Sequence, residues 1–486
     1  MGRSRRLKLE RIASNTTLSF PSQKGDKRKR ESSVVRERYW VPAFAGTTLP
    51  RLLALPFTQT DQLTGNNYYA ATAPRGEVFP TLDGDIEADV CVVGGGLTGL
   101  SSALELAQRG FSVALLESRQ IAWAASGRNG GQVIVGFACS NSTIEKHVGL
   151  QEAKRAWDIS VEGAKLIYDR MAQFNIDCDF TPGWLLFAAR KSHVAQLREW
   201  HEELREKYGY GEFVEYVPPG NIAQWTASTR YHAAVHDRYS GHIHPLKYAL
   251  GLARACAAAG VRMFENSHVT SLTHGDRAQV STANGKVSCR FVIMATNVFS
   301  GDLAAQLDSR IMPVGGTVFA TEPLDKKLAD SLIRHRAAVC DSNFLLDYYR
   351  VTPDHRVLWG GRSTYSKHAS GDGVEWLRKK MVGLYPQLKD VKVEYGWGGM
   401  IDVSLNRAPD FNRLAPNVYY LQGFSGHGLA LSGMAGKLAA EAIAGQAERF
   451  DIFTRIQHRA FPGGRFLRTP GVVLGTLYYR LRDALG

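Results

Sequence analysis

Gly94, Gly96 and Gly99 stand at G-x-G-x-x-G spacing, and an acid, Glu117, closes the next apolar run. Glycines so spaced let a turn tighten, let backbone approach a pyrophosphate, and let a helix pack closely on a strand with the phosphates at its N-terminus. A carboxylate at the end of the second strand accepts hydrogen bonds from an adenosine ribose and disfavours a 2′-phosphate. FAD or NAD is therefore favoured over NADP. The elements needed to hold these residues occur in the right order. Val90-Cys91-Val92-Val93 has the β-branched content of a buried parallel strand. Leu100, Ala103, Leu104 and Ala107 then share one helical face, Gly110 marks the stop, and Val113–Leu116 is a second strand.

Two further glycine-rich stretches carry groups suited to a nucleotide. Ser126-Gly127-Arg128-Asn129-Gly130-Gly131 places an arginine and small polar residues between glycines, which suits backbone donors closing over a diphosphate or a flavin ring. Gly423-Phe424-Ser425-Gly426-His427-Gly428 lies between an apolar strand and a helix running through Ala430–Ala444. His427 has the intrinsic pKa to tune a cofactor or assist amine deprotonation, and a hydrogen-bonded structural histidine is the competing reading. Tyr349 and Arg350 are candidates for the pocket wall, but strand alternation sends neighbours among Tyr348, Tyr349 and Arg350 to opposite faces. His242 and His244 sit two apart on an extended segment with no further ligands nearby in sequence, so no metal site is expected.

Composition bounds the classes. The chain has 486 residues, 44% of them apolar and 22% charged, which is ordinary for a globular protein large enough for two or more domains. Its net charge of +13 belongs mainly to a tail: residues 1–60 hold thirteen Lys or Arg against four Asp or Glu. That tail reads as a disordered extension or an over-long gene start, with a nucleic-acid arm or targeting peptide as the alternative. No apolar h-region follows its early arginines, and no apolar run reaches spanning length. Six scattered cysteines (91, 139, 178, 256, 289, 340) lack metal spacing and read as reduced thiols of a cytoplasmic protein.

Elsewhere, residues 68–85 read as a loop and 145–175 and 191–208 as helices. Gly183–Ala189 reads as a strand, and Pro245–Gly260 as a helix with Pro at its start. Short strands follow at Val261–Phe264 and His268–Leu272, then a buried one at Phe291–Asn297. Pro313–Thr321, Asn343–Thr352 and Arg356–Gly361 alternate as antiparallel strands suited to roofing a pocket.

These motifs, with the strand end Met294-Ala295-Thr296-Asn297, together resemble the FAD-dependent D-amino-acid oxidase/glycine–sarcosine oxidase superfamily, and within it the bacterial γ-glutamylputrescine oxidoreductases. Gly241-His242-Ile243-His244-Pro245, Tyr349-Arg350-Val351-Thr352-Pro353 and Phe461–Pro470 support the likeness, which runs from about Tyr68 to the C-terminus. It implies an α/β fold: a Rossmann-like FAD-binding domain plus a substrate domain with an antiparallel or mixed sheet. The implied division is a basic extension (1–66), an FAD-binding domain (67–150, 231–310, 394–450), a substrate domain (151–230, 311–393) and a helical tail (451–486). FAD would sit on Gly94, Gly96, Gly99 and Glu117, with Val269 beside the adenine and the 126–132 loop near the flavin. Residues 423–428 would meet the flavin edge that gains negative charge on reduction.

The activity implied is oxidation of a C–N bond of a (γ-glutamyl)putrescine-like amine by hydride transfer to flavin N5, followed by imine hydrolysis to an aldehyde. Electrons would pass to oxygen or a quinone-like carrier, with a peripheral membrane contact through the basic Arg465–Leu485 helix as one option. No cysteine occurs in Gly396–Arg413, so non-covalent FAD is expected. No Arg occurs from Val391 to Asn406, where amino-acid oxidases of this superfamily place a carboxylate-forking arginine, which favours an amine without an adjacent carboxylate. Three rivals remain: an oxidase or dehydrogenase of D- or N-methyl amino acids, an NAD-dependent dehydrogenase, and a nucleic-acid-binding protein. The last requires salt-sensitive binding that disappears on deleting residues 1–60.

Overall fold

The computed structural model describes residues 66–343, 346–361 and 371–463. The basic tail, the Arg465–Leu485 helix and part of the Asn343–Thr352 strand lie outside the described residues.

The expected loop at 68–85 opens instead with a short helix, α1 (Tyr68–Thr72), capped by the Asn67 side chain, which accepts the Tyr69 N–H at 2.9 Å. Burial of Tyr68 and Tyr69 fixes this single turn, which is too short to show a period in sequence. β1 (Ile86–Val93), α2 (Leu97–Gln108) and β2 (Val113–Leu116) follow as expected. Then come β3 (Gln132–Val133), α3 (Asn141–Val148) and α4 (Leu150–Gln173). Gly149, at φ +82°, splits the expected 145–175 helix between α3 and α4. β4 (Thr181–Phe187), α5 (His193–Glu202), β5 (Val214–Val217), β6 (Ala234–His242) and α6 (Pro245–Ala258) continue the chain. Next are β7 (Arg262–Phe264), β8 (Ser271–Thr273), β9 (Ala278–Ser281), β10 (Lys286–Met294) and β11 (Ile311–Thr321). β12 (Ala338–Asp341), β13 (Asp347–Val351), β14 (Val357–Gly361), α7 (Gly371–Leu384), β15 (Val393–Ser404), β16 (Asp410–Ala415), β17 (Val418–Gln422) and α8 (Gly428–Ile443) complete the set used below.

Two sheets organise these elements. The eight-stranded sheet runs β16-β17-β10-β1-β2-β7, with β9 joined to β10 and β8 to β9. Its centre is parallel: β17, β10, β1, β2 and β7 pair in one direction. The nine-stranded sheet runs β15-β11-β14-β13-β12-β4-β6-β3 with β5 on β6, and is antiparallel except for β12 on β4. The fold is thus a parallel α/β sheet joined to a mixed sheet. Three strands that lie wholly or mostly in the expected FAD-binding blocks pair into the nine-stranded sheet: β3 within 67–150, β6 within 231–310, and β15, whose residues after Val393 fall within 394–450.

Helices α2 and α8 join through backbone. Ser101 Oγ donates to Gly433 O at 2.5 Å, and a Cβ on Gly436 would lie 2.6 Å from Ser102 N and 2.7 Å from Thr98 O. Neither neighbour is a flexible side-chain end, so the helices would have to separate. Gly436→Ala should destabilise by about 3 kcal/mol, whereas Gly220→Ala, where nothing lies within 4 Å, should stay within about 0.5 kcal/mol. Urea unfolding of both variants checks this, and equal midpoints would contradict it.

Candidate functional site

The first glycine turn closes on itself. Gly94 donates its N–H to Leu116 O at 2.8 Å with φ +110°, and a Cβ on Gly99 would lie 1.8 Å from Gly94 O. Gly96 is the N-cap of α2 and offers no side chain; Ser126 Oγ, from the second glycine stretch, accepts the Leu97 N–H at 2.9 Å. No acceptor among the described residues takes the N–H of Gly96 or Thr98. Donors are therefore left open at a helix N-terminus, where an anion is favoured. Half-buried Glu117 accepts from Gly95 N at 2.7 Å and Arg119 N at 2.8 Å, and burial pushes its carboxyl above the usual range. Val269 is buried with Leu116 in one core cluster, on a stretch tied to Glu117 by the Ser267 N–H to Glu117 O bond of 2.8 Å.

Sequence reasoning missed two residues here. Glu265, 3% exposed, accepts the Ile121 N–H at 2.7 Å, and Arg75 donates to Ile121 O at 2.7 Å. Both act on the backbone that follows Glu117, and neither belongs to a local pattern.

The second glycine stretch is braced from inside. Asn129 accepts from Gly131 N at 2.8 Å and donates to Ala125 O and Ser126 O. At Gly127 a side chain would strike Ala122 O, at Gly130 the Tyr348 ring, and at Gly131 Ile243 O. Buried Arg128 donates to Trp123 O at 2.9 Å and Gly398 O at 3.1 Å, and burial followed by repulsion from Arg75 lowers its pKa to about 10.

Tyr349 does not line this region. Its ring stacks on Trp359 at 4.2 Å and 4°, and its hydroxyl meets Tyr231 and Tyr385 at 3.1 Å inside the core behind the nine-stranded sheet. Strand alternation gives the reason: Tyr348 and Arg350 share the other face of β13, and both reach the Gly130–Gly131 backbone.

The third stretch begins α8, with His427 at its N-cap and no side-chain cap bond. Its donors are less available than the sequence implies. Asp402 Oδ2 accepts the Gly423 N–H and, at 3.3 Å, the Phe424 N–H, while Asp402 O takes the Ser425 N–H at 2.9 Å. The N–H groups of Gly426 and Gly428 have no acceptor among the described residues. Asp402 is 1% exposed, and burial raises its pKa to about 6 despite the donors from Gly423, Phe424 and Asn297. His427 is driven down to about 4 by burial and then by the charge of Arg407. It is neutral at physiological pH, and too weak a base to hold an amine proton there.

The sheet face carrying Tyr348 and Arg350 covers these stretches. Gly399 of β15 lies against the Arg128 stem, Ile401 is 3.8 Å from a Cβ on Gly426, and Trp397 donates to Arg128 O at 2.9 Å. His242 and His244 have their ring nitrogens engaged by the protein itself. His242 bonds Arg336 O at 2.9 Å and Arg350 Nη1 at 3.3 Å, while His244 bonds Thr72 Oγ1 at 3.0 Å and accepts the Lys247 N–H. Among the described residues no cluster of three or more His, Cys, Asp or Glu could hold a metal.

Residues 89–442 match the family model described as DAO, FAD dependent oxidoreductase. The gamma-glutamylputrescine oxidoreductase of Escherichia coli (strain K12) is 44% identical over 422 residues, covering 87% of this chain and 99% of that one. The chain belongs to the DAO family of FAD-dependent oxidoreductases. A probable oxidoreductase OrdL of Haemophilus influenzae is 39% identical, covering 86% of this chain and 97% of its own. Among solved structures, glycine oxidase from Geobacillus kaustophilus superposes with a TM-score of 0.62 at 20% identity, covering 74% of this chain and 95% of that one. L-proline dehydrogenase from P. horikoshii superposes with 0.62 at 19% identity, covering 76% and 98%. At these identities the structural matches establish the fold.

The residues present fit the family's FAD. Two helix starts keep backbone donors open, a carboxylate closes the second strand, and the first turn has no room for any side chain at Gly99. Around them the imidazoles are held neutral: burial, then the Arg350 charge, lowers His242 and His244 to about 3 each. A folded pKa below the unfolded value of 6.5 means that a neutral ring contributes stability in full above pH 6.5. That contribution is lost as the pH falls toward 3. Between about pH 7 and pH 5 the wild type should therefore lose up to about 2 kcal/mol more stability than His242→Gln, measured by urea unfolding. Equal losses in the two proteins would contradict the assignment.

Proposed function

We propose that this flavoenzyme oxidises a C–N bond of a γ-glutamylputrescine-like amine, giving an imine that hydrolyses to an aldehyde. The observation that carries the reading is how two arginines described beside the glycine stretches, Arg350 and Arg128, are engaged within the protein. Arg350 of β13 is spent on Gly130 O, Ile243 O, Tyr69 and His242, and Arg128 braces Trp123 O and Gly398 O. β15 supplies no arginine at all. A site that held an α-carboxylate would need a forked guanidinium within reach. The 44% identity to an enzyme named for γ-glutamylputrescine supports the same substrate class.

Bound FAD supplies the two-electron acceptor for such a substrate. The chain's own residues then have three tasks. Gly96, Thr98 and Glu117 would hold the nucleotide end. Gly426, Gly428 and the start of α8 would face the edge that gains negative charge, where preorganised donors and a helix dipole stabilise it. His427, neutral and with a pKa of about 4, would serve as a hydrogen-bond partner while the ammonium proton leaves to solvent.

We further propose that FAD is held without a covalent bond. Cys139 is half-buried, the other five cysteines are buried, and all six are free. The free thiols also favour the cytoplasm, and no described helix is long and apolar enough to cross a membrane.

The test is anaerobic mixing of purified protein with γ-glutamylputrescine, putrescine, glycine, sarcosine and D-alanine while the visible flavin band is followed. The γ-glutamylated amine should bleach it, and recovery on admitting air would make oxygen the acceptor. Bleaching by the amino acids alone would overturn the substrate class. Colour that stays with acid-precipitated protein would overturn non-covalent attachment.

A further inference from the structure

Arg350 is 1% exposed, and every acceptor its guanidinium meets is uncharged. Nε donates to Gly130 O at 2.9 Å, and Nη2 donates to Tyr69 OH at 3.1 Å and to Ile243 O at 3.2 Å. Nη1 donates to His242 Nδ1 at 3.3 Å. The four bonds join β13 to three other segments: the 126–131 stretch, the β6–α6 junction and α1. The fit is close, since a Cβ on Gly131 would stand 3.0 Å from Arg350 Nη2. No acidic side chain pairs with Arg350 among the described residues. A buried cation without a counter-ion is costly to keep, which sets this arginine apart from an ordinary structural ion pair.

Tyr69 closes the arrangement from the other side. It is fully buried, lies edge-on to His244 at 4.7 Å and to Trp397 at 5.4 Å, and has the Arg350 guanidinium over its ring at 5.9 Å. Trp397 Nε1 in turn donates to Arg128 O at 2.9 Å. The loop is therefore gripped at two of its own carbonyls, Arg128 O through Trp397 and Gly130 O through Arg350, with Tyr69 packed between the two grips.

We propose that Arg350 and Tyr69 form a clamp that sets the backbone of the 126–131 loop against the cofactor, which makes Arg350 a positioning residue rather than a ligand for substrate. The inference rests on the loop facing FAD, and is independent of which amine is oxidised. It also gives the chain before β1 a task. α1 is a part of the site, because it brings Tyr69 to the clamp.

Titration of apo-protein with FAD, followed by flavin fluorescence, is the direct test. Arg350→Met should weaken FAD binding by about tenfold or more, as expected when buried acceptors lose a charged donor. The KM for the amine at saturating FAD should stay within about twofold. Arg350→Lys, which keeps the charge without the fork, should recover only part of the affinity. Tyr69→Phe removes one hydroxyl and keeps the ring, so it remains informative if Arg350→Met does not fold, and it should weaken FAD by about threefold. A substrate-binding arginine predicts the reverse split, with FAD affinity unchanged and KM raised about a hundredfold. That outcome, or unchanged FAD affinity in both Arg350→Lys and Tyr69→Phe, would overturn the clamp. A failed amine panel with the expected FAD titrations would leave the clamp standing and remove only the substrate assignment.

Discussion

The close packing of α2 on α8 fixes the rest of the site. Each helix starts at a glycine turn, and neither N-cap residue, Gly96 or His427, supplies a side-chain cap bond. What sets the distance between the two turns is therefore the place where the helix backbones meet: Gly436 against Ser102 N and Thr98 O, and the Ser101 hydroxyl on Gly433 O. α4 adds a third constraint, for a Cβ on Gly163 would stand 3.0 Å from Ala430 O in the first turn of α8. Backbone contacts of this kind do not adjust by rotamer changes. Two sets of open N–H groups, more than 300 residues apart in sequence, are consequently held as one rigid pair of anion-seeking ends.

Side chains around these turns act mostly on backbone. Asp402 lies behind the 423–428 turn and takes two of its N–H groups, while Arg350 lies behind the 126–131 loop and donates to Gly130 O. One buried anion and one buried cation thus each shape a stretch of main chain. Glu265 and Arg75 do the same around Ile121. This division of labour suits a flavoenzyme, since the cofactor carries the electrons and the protein needs above all to place donors and exclude disorder. It also explains why Asp402 removes donors the turn seemed to offer. The N–H groups of Gly423 and Phe424 hold the turn in shape, and those of Gly426 and Gly428 have no acceptor among the described residues.

Much of this was legible in the sequence because it is local. The strand-turn-helix unit from Val90 to Glu117 can be read from period, glycine spacing and one acid. The same holds for the Pro245 helix start and for the strand and glycine turn before Gly428. Alternation also separated Tyr348 and Arg350 from Tyr349, but it could not say which face looked at the core. That depended on the stacking of Tyr349 on Trp359 and the pairing of β12 with β4 across a long gap in sequence. α1, Asp402, Glu265 and Arg75 left no signal for the same reason. Each earns its place through a partner far along the chain, and residue type alone does not name that partner.

The electrostatics bear on how an amine would react here. Burial and nearby guanidinium groups keep His242 and His244 at about 3 and His427 at about 4, so none of these rings carries charge near neutral pH. On the proposed reading, an alkylammonium bound beside these groups would meet uncharged imidazoles and fixed cations, with Asp402 already bonded to its own turn. Desolvation and like charge both favour the neutral form of a bound amine. On the proposed reading this is useful, because hydride can leave the carbon only when the nitrogen lone pair is free to follow. The environment would then lower the amine's pKa by itself, and the site would need no strong base to deprotonate its substrate.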